Sequence, residues 1–144
     1  MKAIISRNLV AVSFCALLGT SCAVTFVAPY DEKTDQLLTE LSVKTETAIA
    51  QADVDQLSAE QRTKFYQEAI GTVRAMAARS SLYAKNEREI DALKELDKAY
   101  VALRDKGISP RTSLAGGMRL RLSALQQIQI AKKRSSIFSA GLKE

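Results

Sequence analysis

Apolar residues recur at intervals of three and four along most of the chain after residue 30, which is the spacing of one face of an α-helix. The first stripe predicts a helix over about residues 32 to 52, and either Asp31 or Thr34 is suited to cap it. Its members are Leu37, Leu38, Leu41, Thr45, Ala48, Ile49 and Ala52.

Polar start and stop signals separate the next two helices. Ser58 and Gln61 have the spacing of a capping box and predict the start of a second helix. Asn86 as N-cap, with Glu89 at the third helical position, predicts the start of a third helix that stops at Gly107. The residues predicted to face inward are Phe65, Tyr66, Ala69, Ile70, Val73, Met76, Ala77 and Tyr83 in the second helix and Ile90, Leu93, Leu96, Tyr100 and Leu103 in the third.

A fourth helix is predicted from Ser109-Pro110 or Thr112-Ser113 to about Phe138. Gly116-Gly117 interrupts its first turns and indicates fraying or close helix packing. Its inward residues are Leu114, Met118, Leu122, Leu125 and Ile128. Four amphipathic helices with short connections predict an all-α, up-and-down antiparallel four-helix bundle over residues 31–140. A three-helix core with a detached fourth helix is the alternative.

Composition excludes much of the usual enzyme chemistry. The 144 residues are 47% hydrophobic and 26% charged, as expected for one globular domain. Histidine is absent, which removes the commonest general base and metal ligand. Glu87, Glu89 and Asp91 are interspersed with basic residues and predict a solvated, ion-paired helix face. We therefore predict no catalytic residue, no metal site and no cofactor.

The first residues have the layout of a secretory signal peptide. Lys2 and Arg7 precede an apolar stretch over residues 9–18, and Gly19, Thr20 and Ser21 follow it. This arrangement predicts export from the cytoplasm.

The segment from Leu18 to Cys22 resembles the lipobox of bacterial lipoproteins, although its leucine stands four positions before the cysteine instead of three. The resemblance implies that residues 1–21 are a signal peptide cut just before Cys22, which then carries diacylglyceryl and acyl groups. Residues 22–30 would be a lipidated tether to the cell membrane or outer membrane, with the domain on the periplasmic or extracytoplasmic side. Ala23, where an aspartate is absent, resembles the pattern passed on to an outer membrane.

Two alternatives to lipidation remain open. Gly19-Thr20-Ser21 also offers a cleavage site that would release the protein, and the uncharged run of 20 residues from Leu9 to Ala28 is about long enough to span a bilayer uncut. Cys22 is the only cysteine after Cys15, so the exported part can form no intrachain disulfide. Lipidation would remove this unpaired thiol, which favours the lipoprotein interpretation.

Charge is distributed unevenly. Residues 22–110 have a net charge of −3, whereas residues 111–144 carry seven basic residues against Glu144 alone. We predict that basic side chains of the last helix contact an anionic envelope polymer or an acidic envelope protein, whereas nucleic acid is not expected after export. These side chains are Arg119, Lys132, Lys133 and Arg134. The alternative is that they only favour solubility and complement the helix C-terminus.

One basic residue falls on an apolar face. Arg121 lies between Leu125 and Ile128 on the predicted inward stripe, where its guanidinium must reach solvent or a carboxylate. Asp97, at the edge of the third helix's stripe, is the predicted partner in a structural ion pair.

Together these features predict a membrane-anchored, exported lipoprotein that serves as a structural or protein-binding helical module of the bacterial envelope. We expect it not to be an enzyme. One alternative is an exclusion or immunity lipoprotein that blocks another envelope protein. A second is a small hydrolase or lytic accessory enzyme, which would need converging carboxylates or a buried Ser-Lys pair. The sequence specifies neither the partner nor the oligomeric state.

Overall fold

The computed structural model describes residues 28–53, 57–106 and 113–141, so the predicted signal peptide and Cys22 lie outside the described residues. It contains four helices: α1 (Glu32–Asp53), α2 (Ala59–Ser80), α3 (Glu87–Lys106) and α4 (Ser113–Gly141). The predicted bounds are close for the first three helices, whereas α4 continues past Phe138. None of these four helices is long and apolar enough to cross a membrane.

The helices form a closed ring. Each helix packs against the next one in the chain, and α4 packs against α1. Cross-helix contacts give the directions: Asp31, just before α1, pairs with Arg79 in the last turn of α2, while Lys44, further along α1, pairs with Glu68. The architecture is therefore the predicted antiparallel up-and-down four-helix bundle, and α4 is not detached.

The two ends of this bundle are named here by what they contain. The Ala28 end holds Ala28, the start of α1, the connection of residues 81–86 between α2 and α3, and the second half of α4. The far end holds the last turns of α1 and α3 and the first turns of α2 and α4. Because the helices alternate in direction, the described chain begins at the Ala28 end, and the connection of residues 81–86 returns to that same end.

Most buried residues follow a repeat of alternating three- and four-residue steps in every helix, which is the 3.5-residue spacing of coiled-coil-like bundles. They are Thr34, Leu38, Leu41, Thr45 and Ala48 in α1; Tyr66, Ala69, Val73, Met76 and Ser80 in α2; Glu89, Leu93, Leu96, Tyr100 and Leu103 in α3; and Met118, Leu122, Leu125, Gln129 and Lys132 in α4. Fully burying one such apolar side chain contributes roughly 1.5–3 kcal/mol. The members nearest the Ala28 end are polar in all four helices.

Helix starts follow the sequence signals. Ser58 and Gln61 form the predicted capping box, in which the Ser58 hydroxyl accepts from the Gln61 amide and the Gln61 side chain accepts from the Ser58 amide. Asp31 caps α1, since its carboxylate accepts from the Lys33 amide and from the Thr34 hydroxyl. These contacts satisfy backbone donors that an α-helix leaves without partners in its first turn.

Candidate functional site

A buried ion pair lies in the core at the Ala28 end. The Lys132 ammonium donates to Glu89 Oε2, and the two residues are only 3% and 2% exposed. Ser80 donates to the other carboxylate oxygen of Glu89, and Gln129 Nε2 donates to Oε2 over 2.9 Å. Lys132 also donates to Asn86 Oδ1. We call Ser80, Asn86, Glu89, Gln129 and Lys132 the polar layer.

The polar layer is almost fully satisfied internally. Asn86 Nδ2 donates to the Ser80 carbonyl over 2.9 Å, which links the end of α2 to the start of α3. Gln129 Oε1 is the exception, because it has no hydrogen-bond partner among the described residues. Since the carboxylate and the ammonium neutralise one another away from solvent, this arrangement is suited to joining three helices and not to meeting a substrate.

Lys132 is thus placed differently from its prediction as a contact for an anionic partner. The helix continues to Gly141, so position 132 does not lie in its last turn. Lys132 instead stands seven residues after Leu125 and continues the buried stripe of α4. The expected solvated face of α3 is likewise wrong for Glu89, which begins the buried stripe of that helix.

The predicted ion pair between Arg121 and Asp97 is not formed. Asp97 accepts two hydrogen bonds from Arg74 of α2, at 3.0 and 3.4 Å, because it lies on the side of α3 that faces α2. Arg121 donates to the Gly117 carbonyl over 3.0 Å. A Cβ on Gly117 would lie 3.1 Å from that guanidinium, so the glycine leaves the space that Arg121 occupies.

The other three predicted partner contacts lie on the surface. Arg119 donates to both carboxylate oxygens of Glu46 at 2.8–3.1 Å, which ties α4 to α1 and lowers the pKa of Glu46. The Lys133 ammonium lies 5.6 Å from the ring centre of Tyr30. Lys133 and Arg134 are both exposed. Arg119 therefore pairs within the bundle, whereas Lys133 and Arg134 stay accessible to solvent.

A second charged contact closes the Ala28 end between α1 and α2. Arg79 donates to both oxygens of Asp31, at 2.9 and 3.0 Å. The hydrogen bonds from Arg79 outweigh burial and lower the pKa of Asp31 from 3.8 to about 2. Nearby, the Tyr30 hydroxyl donates to Asp35 over 2.7 Å, and this hydrogen bond is the main reason that the pKa of Tyr30 is raised to about 12.

An open groove of about 670 Å³ lies along α2 in the far half of the bundle. Its charged lining consists of Arg62, Arg74 and Arg104, with no acidic residue among the lining side chains. Tyr66 and Ile70 contribute apolar surface to the same groove. We call this feature the arginine groove.

The partners of the three arginines differ. Arg74 is paired with Asp97, and Arg104 is paired with its neighbour Asp105 through an exposed contact. Arg62 pairs with no carboxylate among the residues that the structure describes. Exposed pairs such as these contribute little energy, so their guanidinium groups can exchange one carboxylate for another.

Tyr66 fixes one wall of the arginine groove. Its hydroxyl donates to the Leu103 carbonyl over 2.9 Å, and burial raises its pKa to about 12. The groove was not predicted from the sequence, because only the inward apolar positions of α2 were considered. The signal was a four-residue spacing that places Arg62, Tyr66, Ile70 and Arg74 along one line of α2.

Within residues 28–53, 57–106 and 113–141, no group of three or more acidic or cysteine side chains could hold a metal ion. No protein-family model matches this chain, and no curated protein or solved structure matches it significantly. Proposals about its function therefore depend on its own residues.

Proposed function

We propose that the protein is a lipid-anchored, non-catalytic module of the bacterial envelope that binds the acidic segment of a partner protein in the arginine groove. The single observation that carries the binding role is the groove itself, with three guanidinium groups beside apolar surface. Arginine is favoured at protein interfaces because it forms paired hydrogen bonds with carboxylates and also stacks on aromatic surface.

The anchor is proposed from residues 1–22, and it has a geometric consequence for the domain. Ala28 is six residues after Cys22, a distance of at most about 20 Å for a fully extended chain. A lipid on Cys22 would therefore hold the Ala28 end close to the bilayer. The arginine groove, which begins at the first residue of α2, would then be in the half of the bundle directed away from the membrane.

A binding role fits the charges better than catalysis does. The most buried titratable pair, Glu89 and Lys132, is enclosed and mutually neutralised. The arginine groove is open to solvent and carries only positive charge among its lining residues. An acidic segment of a partner would add carboxylates to Arg62, Arg74 and Arg104, whereas Tyr66 and Ile70 are already largely buried and form the floor beneath it.

The anchor is tested by expressing the full chain with a fatty-acid probe and comparing it with Cys22→Ala. We expect labelling of the parent chain and loss of the label in the variant. Cys15→Ser is the matched control and should keep the label, because residue 15 lies within the predicted signal peptide. A parent chain without Cys22-dependent label would contradict the anchor.

The groove is tested in cells with a photo-crosslinking residue at Gln67, which is an exposed lining position. The matched control places the same residue at Gln36, which is exposed on α1. We expect a defined adduct at position 67 only, with the crosslinked peptide of the partner rich in aspartate or glutamate.

Charge reversal then decides whether the arginines cause binding. Arg62→Glu with Arg104→Glu should remove the adduct, whereas Arg88→Glu, an exposed change at the Ala28 end, should preserve it. An adduct that survives the double reversal, or that forms equally at position 36, would show that the groove is not the binding surface.

A further inference from the structure

Three large apolar side chains at the Ala28 end are strongly exposed, and two of them belong to the C-terminal part of α4. Ile137 is 65% exposed and Phe138 is 78% exposed. Leu82, in the connection between α2 and α3 at the same end, is also 78% exposed. Among the described residues, these positions account for half of the large apolar side chains that the fold leaves in solvent.

Part of α4 continues beyond the level of the polar layer. Lys132 contacts Asn86, the residue just before α3 begins, so residues 133–141 extend past the start of α3. At about 1.5 Å per residue this part of the helix is roughly 13 Å long. We call residues 133–141 the α4 extension.

The α4 extension combines positive charge with apolar surface on one side. It contains Lys133 and Arg134 and no acidic residue. At about 100° per residue, the two cations and the apolar pair of Ile137 and Phe138 lie within an arc of about 140°. The cations stand one turn closer to the bundle than the apolar pair, a separation of about 6 Å along the helix.

This order matches the polarity of a membrane surface. Cations at the level of lipid phosphates can be attracted to anionic headgroups, while an isoleucine and a phenylalanine one turn deeper meet the start of the acyl chains. Glu32 and Glu87 are also exposed at the Ala28 end, and their carboxylates would be repelled by anionic lipids. The attraction to anionic headgroups is therefore a property of the α4 extension and not of the whole end.

We propose that the α4 extension inserts its tip into the interface of an anionic lipid bilayer and that Leu82 contacts the same surface. The proposal rests on the proposed anchor, because a lipid on Cys22, six residues before Ala28, would bring this end within about 20 Å of the bilayer. A second contact of this kind fixes the orientation of the domain, whereas the tether alone would leave it free to rotate.

The test uses the full chain with Cys15→Ser, reconstituted into vesicles of phosphatidylcholine with or without phosphatidylglycerol. An environment-sensitive dye is attached to Phe138→Cys and, as the matched control, to Leu120→Cys. Leu120 is equally suitable as a labelling site because it is 75% exposed, but it lies in the second turn of α4 at the far end. Nitroxide-labelled lipids then report contact between the dye and the bilayer.

We expect quenching at position 138 to exceed that at position 120 several-fold in vesicles that contain phosphatidylglycerol. Lys133→Gln with Arg134→Gln should reduce quenching at position 138, and circular dichroism should show that the helices persist. Equal quenching at the two positions would overturn the proposal. A dye at position 138 that is shielded without lipid, in proportion to protein concentration, would also overturn it and identify a second copy of the chain as the occupant.

Failure of the anchor has a separate readout. The Cys15→Ser chain with no introduced cysteine, which is the parent chain of this test, takes up no dye if Cys22 is lipidated, whereas a free Cys22 thiol becomes labelled. The proposed anchor is therefore judged by dye uptake on the parent chain, and membrane contact of the α4 extension is judged by the difference between positions 138 and 120 when vesicles are present.

Discussion

Ion pairs are largely buried at the Ala28 end of the bundle and exposed at the far end. At the Ala28 end Glu89 and Lys132 are removed from water, and the Asp31 side chain paired with Arg79 is only 11% exposed. At the far end Arg119 pairs with Glu46 through side chains that are about half exposed. Breaking a buried pair costs about 3–5 kcal/mol, whereas an exposed pair contributes about 0.2–1 kcal/mol. The same residue types therefore have different consequences at the two ends.

The largest expected effect comes from breaking the polar layer. Lys132→Met keeps the apolar stem but leaves the Glu89 carboxylate buried without its counter-charge. We expect the free energy of unfolding, measured by urea denaturation, to fall by about 3–5 kcal/mol.

The matched control replaces both charges. Lys132→Met combined with Glu89→Leu removes the uncompensated carboxylate, so its stability should lie closer to that of the parent than the single variant does. A single variant that is no less stable than the double variant would mean that the pair is not desolvated as the structure indicates.

A smaller, pH-dependent effect is expected from Asp31. Its pKa is lowered from 3.8 to about 2 in the folded state, so its contribution is present above about pH 4 and is lost as pH falls toward 2. After allowance for the partly exposed Arg79, we expect the pair to contribute about 1–2 kcal/mol at neutral pH.

The measurement is urea denaturation of the parent and of Asp31→Asn from neutral pH to about pH 3. The difference in unfolding free energy between the parent and Asp31→Asn should shrink as pH falls. Protonation of Asp31 in the parent removes the negative charge that the variant already lacks. Asp91→Asn, an exposed change in α3, is the control and should show a much smaller difference. A pH-independent difference for Asp31→Asn would assign its effect to helix capping alone.

The smallest effect is expected at the far end. Arg119→Ala removes the hydrogen bonds to both carboxylate oxygens of Glu46, yet these side chains are already solvated, so the unfolding free energy should change by about 1 kcal/mol or less. Added salt should reduce the difference further. If Arg119→Ala lowered the free energy of unfolding as much as Lys132→Met does, ion pairs at the two ends would not differ in energy.

The helices were predictable from local signals. The three- and four-residue periodicity gave the four elements, and the Ser58 capping box marked the start of α2 to the residue. Short connections between amphipathic helices then led to the antiparallel bundle. These features depend on neighbours within a few positions, which is the range over which sequence patterns are informative.

Contacts between helices were harder to predict because they depend on which sides face one another. Asp97 was paired with the wrong arginine, since a residue at the edge of a stripe can face either adjacent helix. Glu89 and Lys132 were placed in solvent because their charge was given more weight than their spacing. Each of them continues a heptad stripe, Glu89 before Leu93 and Lys132 after Gln129, and the two stripes run in opposite directions. That combination was the available signal for a buried pair.

The polar layer also determines the axial register of the bundle. A core of leucine and similar residues alone would accept α4 displaced by one heptad almost as well, since Leu125 would simply take the level of Lys132. Such a displacement would set Leu125 against Glu89 and leave a carboxylate in an apolar core without a counter-charge. One charged level near a single end is therefore enough to exclude shifted alignments of α4 against α3, and the apolar residues elsewhere in the stripe are free to vary in shape without losing the alignment.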